Sequence, residues 1–188
     1  MQHIMMDLET LGTEPGCSIL SIGAVYFDPV KEELGSEMYV LVHRPSCTAY
    51  GLWEDPSTIN FWEGQAAKNE VHKKFLADVM METIAYTLPK ALVEFNQFVA
   101  LGSGAVRVHG NGADFDNAIM RAAYRAAGVK PTGSWAKFGG RCYRTVKNLF
   151  PDVKMQIREG VHHNALDDAK NQALHLMTIV KAKGLTLS

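Results

Sequence analysis

The chain has 188 residues, of which 47% are hydrophobic and 21% charged, and its formal net charge is −1. This composition predicts one soluble globular domain over residues 1–188, and the low charge argues against a protein that coats nucleic acid indiscriminately. The scattered Cys17, Cys47 and Cys142 exclude a disulfide framework or a zinc-cysteine site. Because the sequence has no signal-peptide pattern and no apolar run of about 18 residues, we expect a cytoplasmic protein.

The first predicted strand leads from the apolar residues 4–6 to two acids, Asp7 and Glu9. Alternate residues of a strand share a face, so the two carboxylates should point the same way, about 7 Å apart. Like charges at that separation repel, and a divalent cation with a preference for hard oxygen ligands would remove the repulsion. Taken alone, an Asp-x-Glu triplet is more often a solvated strand end.

Two further strands are predicted in the first 43 residues. Residues 18–27 form a nearly continuous apolar run typical of a central strand that is covered on both faces, and residues 38–43 should pair back beside it. The three strands together predict an antiparallel meander.

A helix is predicted from about Pro56, with Ser57 or Thr58 as its N-cap. It carries Phe61 and Trp62 among polar neighbours. These aromatic residues belong either to the core or to a wall on which a nucleobase stacks.

The remaining chain alternates helices with short strands, as expected for an α/β protein. The predicted elements are helices at about 89–101, 115–127, 142–150 and 165–183, a strand at 105–109, and a mobile loop at 128–140.

Positive charge is concentrated in residues 121–158. That segment contains nine Lys or Arg residues against one acid, Asp152, so it carries +8 while the rest of the chain carries −9. Such asymmetry suits a track for phosphates beside an acidic metal centre. A solvated basic face would give the same pattern, and charge alone leaves the two interpretations open.

Three acidic stretches together suggest a catalytic centre: residues 7–9, 111–116 and 163–168. Acids at the end of one strand and at the start of two helices can converge in space. Four carboxylates around one point are not stable without cations, so two metal ions are the natural inference. A histidine just before the final helix would then stand over the reacting water.

These stretches resemble the motifs of the DEDDh 3′-5′ exonucleases, a branch of the RNase H-like superfamily. Asp-x-Glu-Thr-x-Gly stands at 7–12, Asn-x-x-x-Phe-Asp at 111–116 and His-x-Ala-x-x-Asp at 163–168. Residues 58–65 and 142–145 look like the phage and prophage exodeoxyribonuclease A-type and mycobacterial-type exoribonuclease subgroup. The resemblance implies an RNase H-like α/β fold, with a central mixed five-stranded sheet flanked by helices.

The resemblance also implies an activity, which is hydrolysis of terminal phosphodiesters at the 3′ end of single-stranded nucleic acid to release nucleoside 5′-monophosphates. Two Mg²⁺ or Mn²⁺ ions would be held by Asp7, Glu9, Asp116 and Asp168, and His163 would be the general base.

Neighbouring residues compete for three of these roles. Helical periodicity does not choose between Asp167 and Asp168, whereas the family's spacing selects Asp168. The same comparison selects His163 over His162, which we expect to be a loop residue, and Asp116 over Asp114.

The substrate contacts implied by the resemblance are less specific. Leu8, Thr10, Leu11 and Phe115 resemble the family's clamp on the terminal nucleotide, and Asn111, Trp62 and Arg144 are further candidates.

Several properties remain alternatives. DNA is favoured because phage-type relatives act on it, with RNA as the alternative and a non-catalytic nucleic-acid-binding module as a remote one. A homodimer is left open, and the resemblance suggests a bacterial cytosolic protein of phage or prophage origin.

Overall fold

The computed structural model describes residues 1–187. Five strands form one sheet in the spatial order β3-β2-β1-β4-β5, with β1 to β3 antiparallel and with β4 and β5 parallel to β1. The strands are β1 (His3–Thr10), β2 (Ile19–Asp28), β3 (Glu33–Leu41), β4 (Arg107–Gly110) and β5 (Gly140–Cys142). The predicted α/β fold with a mixed five-stranded sheet is therefore confirmed.

Helices cover both faces of the sheet, which explains why β1 is buried along its whole length. Side chains of α4 and α5 pack on one face with Ile4 and Met6, and side chains of α7 pack on the other with Met5. The helices are α1 (Arg44–Ala49), α2 (Pro56–Ala66), α3 (Glu70–Asp78), α4 (Leu88–Val99), α5 (Asp116–Ala127), α6 (Tyr143–Leu149) and α7 (Ala165–Lys183). No helix within residues 1–187 is long and apolar enough to cross a membrane.

The first turn of α7 lies directly on β2 at Gly23. A Cβ atom added to Gly23 would collide with the backbone of Ala165 and Leu166. Glycine is required here because the helix approaches the strand closely. Gly23 pairs with Asp7 in the neighbouring strand, so this approach brings the start of α7 beside the first acidic pair.

The predicted start of β3 and the predicted cap of α2 differ from the structure. Strand β3 begins at Glu33, five residues before the predicted start. Helix α2 is capped by Asp55, whose side chain accepts a 2.6 Å hydrogen bond from the Ser57 amide, and not by Ser57 or Thr58. Pro56 explains the shift, because its fixed φ suits the first helical position and makes the preceding residue the cap.

The predicted loop at 128–140 is wrong in its second half. Trp135–Gly139 forms a single π-helical turn, followed by β5. Trp135 is buried against Phe95 and Tyr124, with ring centroids 5.6 and 6.1 Å apart. One buried indole thus fastens a stretch whose glycine content suggests a loop.

Candidate active site

The three acidic stretches meet at the end of β1. Asp7 and Glu9 lie on β1, Asp116 is the first residue of α5, and Asp168 lies in the first turn of α7. A pocket of about 400 Å³ opens there, and its walls include Asp7, Glu9, Asp168 and His163. Asp116 lies behind that wall and is fully buried.

Asp7 is held by the last helix. It is 9% exposed, and its Oδ1 accepts a 2.7 Å hydrogen bond from Nε2 of Gln172. Burial, followed by the negative charges of Asp116 and Glu9, raises the pKa of Asp7 well above its usual value, against the effect of the Gln172 bond. The ionised carboxylate is therefore destabilised in the metal-free protein.

Glu9 has the clearest need of a partner. It is 8% exposed, and within the described chain its Oε1 is buried without a hydrogen-bond donor. Burial and the charge of Asp116 raise the pKa of Glu9 to about 8, although Arg158 acts in the opposite direction. A buried, unpartnered carboxylate oxygen fits a divalent cation, because such cations prefer oxygen ligands.

Asp116 is anchored by the backbone. Its Oδ1 accepts from the Leu8 amide at 3.1 Å and its Oδ2 from the Asn111 amide at 2.6 Å. Burial raises the pKa of Asp116 to about 6 despite these bonds and the nearby charge of Arg144. The bond to Leu8 joins the start of α5 to β1 and so fixes the position of Asp116 relative to Asp7 and Glu9.

Asp167 and Asp168 have different environments. Asp167 Oδ2 accepts a 2.7 Å hydrogen bond from the Val161 amide and so fastens the preceding loop. Asp168 faces the pocket, where it forms an ion pair with Arg158. Ligand atoms of Glu9, His163 and Asp168 lie within 4.8 Å of one another, which is close enough for one ion to bind all three.

His163 stands on a strained turn before α7. Its φ of 61° is in the left-handed region, which non-glycine residues rarely occupy. Its ring meets Phe61 at 5.2 Å, Trp62 at 6.0 Å and His72 at 6.1 Å between centroids. Burial, the most important cause, lowers the pKa of His163 to about 4, so the imidazole is neutral at pH 7. His162, by contrast, is exposed to solvent.

The predicted nucleotide clamp is only partly in the pocket. Leu8, Thr10 and Phe115 line it. The side chain of Leu11 does not reach it, because this residue is 1% exposed and packs in a core cluster with Trp62. The apolar side chain of Leu11 therefore points into the core, and the part of this residue in the clamp stays a prediction.

Trp62 and Phe61 take different positions on α2. Trp62 is buried at one side of the pocket and donates a 3.0 Å hydrogen bond from Nε1 to the Thr10 carbonyl. Phe61 is 42% exposed and lines the same pocket. The freely accessible aromatic surface is thus that of Phe61, while stacking on Trp62 stays a prediction.

A second groove, of about 560 Å³, continues from this pocket. Thr13 and Phe115 line both cavities. Arg144 lines the groove, and its Nε donates to Oδ1 of Asn111 at 3.3 Å. Asn111 and Arg144 therefore lie together, beside the acids rather than among them.

Three residues at the site were not predicted from the sequence. Gln172 follows Asp168 by four residues, so helical periodicity could have indicated it. Arg158 belongs to the basic segment but had no distinguishing neighbour in sequence. His72, on α3, is distant in sequence from every motif and gave no signal.

Comparisons with known proteins give the family of the chain and similar folds. Residues 2–180 match the profile of one family, the 3′-5′ exoribonuclease Rv2179c-like domain. No curated protein matches the chain.

Solved exonuclease structures share the fold at low identity. The nuclease domain of 3′hExo, a DEDDh family member bound to rAMP, has a TM-score of 0.66 and 15% identity, with 99% of this chain and 94% of that chain covered. Exonuclease X in complex with 5′ overhanging duplex DNA has a TM-score of 0.58 and 15% identity, with 98% and 94% covered. E. coli exonuclease I in complex with a dT13 oligonucleotide has a TM-score of 0.63 and 13% identity, with 96% of this chain and 40% of that chain covered. The chain thus spans about two fifths of the length of the exonuclease I structures.

Proposed function

The chain belongs to the Rv2179c-like 3′-5′ exoribonuclease domain family, and on that premise we propose that it shortens single-stranded RNA from the 3′ end and releases nucleoside 5′-monophosphates. The enzyme class, 3′-5′ exonuclease, follows from the family. RNA is proposed over DNA because of the family's description, which covers residues 2–180 as one exonuclease domain. The DNA preference expected from phage-type relatives is the alternative outcome of the same experiment.

One observation carries the proposal: Asp7 and Glu9 from the first strand and Asp168 from the last helix line a pocket that also contains a neutral histidine, and Asp116 is buried behind its wall. The acids Asp7, Glu9, Asp116 and Asp168 would hold divalent cations, Mg²⁺ or Mn²⁺. The unpartnered Oε1 of Glu9 and the raised pKa values support this role. Bound there, the cations would neutralise the phosphate and acidify the attacking water.

His163 is proposed as the general base. Its imidazole is neutral at pH 7, so a ring nitrogen has a lone pair available for the proton of the attacking water. The ring lines the pocket and reaches within 4.8 Å of Glu9 and Asp168, where the reaction would occur.

The pocket and the adjoining groove would divide the substrate between them. A pocket of about 400 Å³ is in the range of small-ligand sites and suits one terminal nucleotide, with Leu8, Thr10, Phe61 and Phe115 as walls. The groove beside Arg144 would take the preceding phosphate, because guanidinium groups pair well with phosphate oxygens.

The test compares RNA and DNA oligomers of one sequence, each labelled at either end, with Mg²⁺ or Mn²⁺ and with a chelator. We expect RNA to shorten faster, to release mononucleotides from the 3′ end, and to stay intact with the chelator. Asp7→Ala should be folded but inactive. Faster cleavage of DNA would overturn the substrate assignment alone, whereas binding without shortening would overturn the activity.

A further inference from the structure

His72 links α3 to the turn that carries the proposed general base. It is 5% exposed, and its Nε2 lies 2.9 Å from the backbone carbonyl oxygen of His162. A carbonyl can only accept, so Nε2 carries the proton and donates it. In the neutral tautomer Nδ1 is then an acceptor, and among residues 1–187 that buried atom has no partner.

An unpartnered buried nitrogen lowers stability, so an apolar residue would serve a purely structural position better. The hydrogen bond donated by Nε2 therefore has a role that an apolar residue could not fill. Its partner indicates what this is, because the His162 carbonyl belongs to the peptide group that leads directly into His163.

Fixing that peptide group fixes the backbone of His163. Rotation about φ of His163 is measured from the 162–163 peptide plane, and this residue has a φ of 61°. A non-glycine residue keeps such a conformation only where its surroundings enforce it. On the other side of the turn, the Asn164 side chain accepts from the amides of Leu166 and Asp167 and caps α7. The strained residue thus lies between two fixed points.

The rings of α2 and α3 complete the enclosure. Phe61 and Trp62 meet the His163 ring nearly edge-on, and the His72 ring lies 6.1 Å from it. Of these three neighbours, His72 is the one that also binds the backbone of the turn.

We propose that His72 is a positioning residue, which holds the 162–163 peptide group so that the His163 imidazole faces Glu9 and Asp168. This role rests on the proposed function, because it matters only if His163 takes the proton from the attacking water. His72 does not line the pocket and would touch neither substrate nor cation.

Two variants separate the contribution of the hydrogen bond from that of the aromatic ring. His72→Phe keeps an aromatic ring without a donor, whereas His72→Gln loses the ring but places an amide N–H at about the reach of Nε2. We expect His72→Phe to lower kcat about tenfold to a hundredfold with little change in KM, because a shift of about 1 Å at a reacting group has effects of that size. His72→Gln should restore most of the loss.

The matched control is Val79→Ala. Val79 is buried and follows α3 directly, and its backbone hydrogen bonds join it to Phe75 and Arg44 rather than to the turn before α7. It should lower the melting temperature without lowering kcat. Should the phenylalanine variant fail to fold, His72→Leu replaces it.

The outcomes distinguish failure of the positioning role from failure of the proposed exoribonuclease activity. If the wild-type protein releases no mononucleotides, the proposed function fails first. If the wild type is active and His72→Phe keeps full kcat, or if His72→Gln and Val79→Ala lose as much kcat as His72→Phe, His72 has no positioning role.

Discussion

Nε2 of Gln172 donates a 2.7 Å hydrogen bond to Oδ1 of Asp7, which joins the last helix to the first strand inside the candidate active site. The bond spans 165 positions in sequence and leaves the other carboxylate oxygen of Asp7 available for a cation. A neutral amide can orient a carboxylate in this way without competing for the cation as a positive side chain would.

Replacing Gln172 with methionine should therefore weaken catalysis while preserving the fold. Methionine has a similar length but no N–H, so Asp7 loses its orientation. We expect Mn²⁺ affinity or kcat to fall about 10-fold to 100-fold, as for other groups that orient a metal ligand. Calorimetric titration with Mn²⁺ and turnover of a labelled oligomer measure the two quantities.

Gln97→Met is the matched control for this change. Gln97 is exposed on α4, away from the pocket, and the same substitution there should alter neither quantity. Unchanged Mn²⁺ affinity and kcat in Gln172→Met would show that the bond to Asp7 has no functional role.

The pKa values predict that the metal-free protein loses stability as pH rises above about 6.5. Folding raises the pKa of Glu9 from 4.5 to about 8 and that of Asp116 from 3.8 to about 6. Below about pH 6.5 the lowered pKa of His163 acts in the opposite direction, since the unfolded state then binds the extra proton. Above that pH the histidine is neutral in both states while the folded state still binds more protons at Glu9, so the free energy of unfolding falls with pH from about 6.5 to 8. Each fully titrating group contributes at most about 1.4 kcal/mol per pH unit.

Thermal unfolding in chelator at pH 6.5 to 8.5 checks this prediction. Glu9→Gln should flatten the decline, because the amide does not ionise. Saturating Mn²⁺ should raise the wild-type melting temperature more at pH 8 than at pH 5. A melting temperature that rises between pH 6.5 and 8.5 in chelator would contradict the account of the buried acids.

His163→Ala should slow cleavage without abolishing cation binding. A positioned general base contributes about 10²-fold to 10⁴-fold, so kcat should fall by that range. Mn²⁺ affinity should change little, because the four carboxylates remain. The ring nitrogen does lie within 4.8 Å of ligand atoms of Glu9 and Asp168, so a collapse of Mn²⁺ affinity would make His163 a ligand instead.

Arg144→Ala should raise KM for oligomers and leave kcat nearly unchanged. Its guanidinium lines the groove that adjoins the pocket, and loss of one charged hydrogen bond to phosphate corresponds to about a tenfold weaker interaction. The effect should shrink as salt is added, because phosphate contacts are screened.

Lys130→Ala tests whether the whole basic segment behaves alike. Lys130 lies in the same segment but is exposed in the connection after α5. Equal rises in KM for Lys130→Ala and Arg144→Ala would favour a diffuse basic face over a defined phosphate position.

The long apolar patterns made much of the fold predictable. The predicted limits of the last helix, residues 165–183, agree with those of α7, because its buried stripe repeats over several turns between Asn164 and Gly184. Strand β5 was not located, because three residues, all half-buried, carry no periodicity. The π-helical turn was missed because its stability comes from the tertiary burial of Trp135.

At the site, sequence reasoning found residues that belong to motifs and missed those that act through contacts. Periodicity could not separate Asp167 from Asp168, since both lie equally far from the core face of α7. In the structure they diverge because the Val161 amide binds Asp167. His72 and Arg158 reach the site from segments whose positions depend on tertiary packing, which no local pattern encodes.

The most direct test of the central claim is a crystal structure grown with Mn²⁺ and examined by anomalous scattering. The account predicts Mn²⁺ peaks in the pocket, within bonding distance of Glu9 and Asp168 and bordered by Asp7 and Asp116. A crystal saturated with Mn²⁺ that shows no peak there, or that shows these four carboxylates turned away from one another, would contradict it.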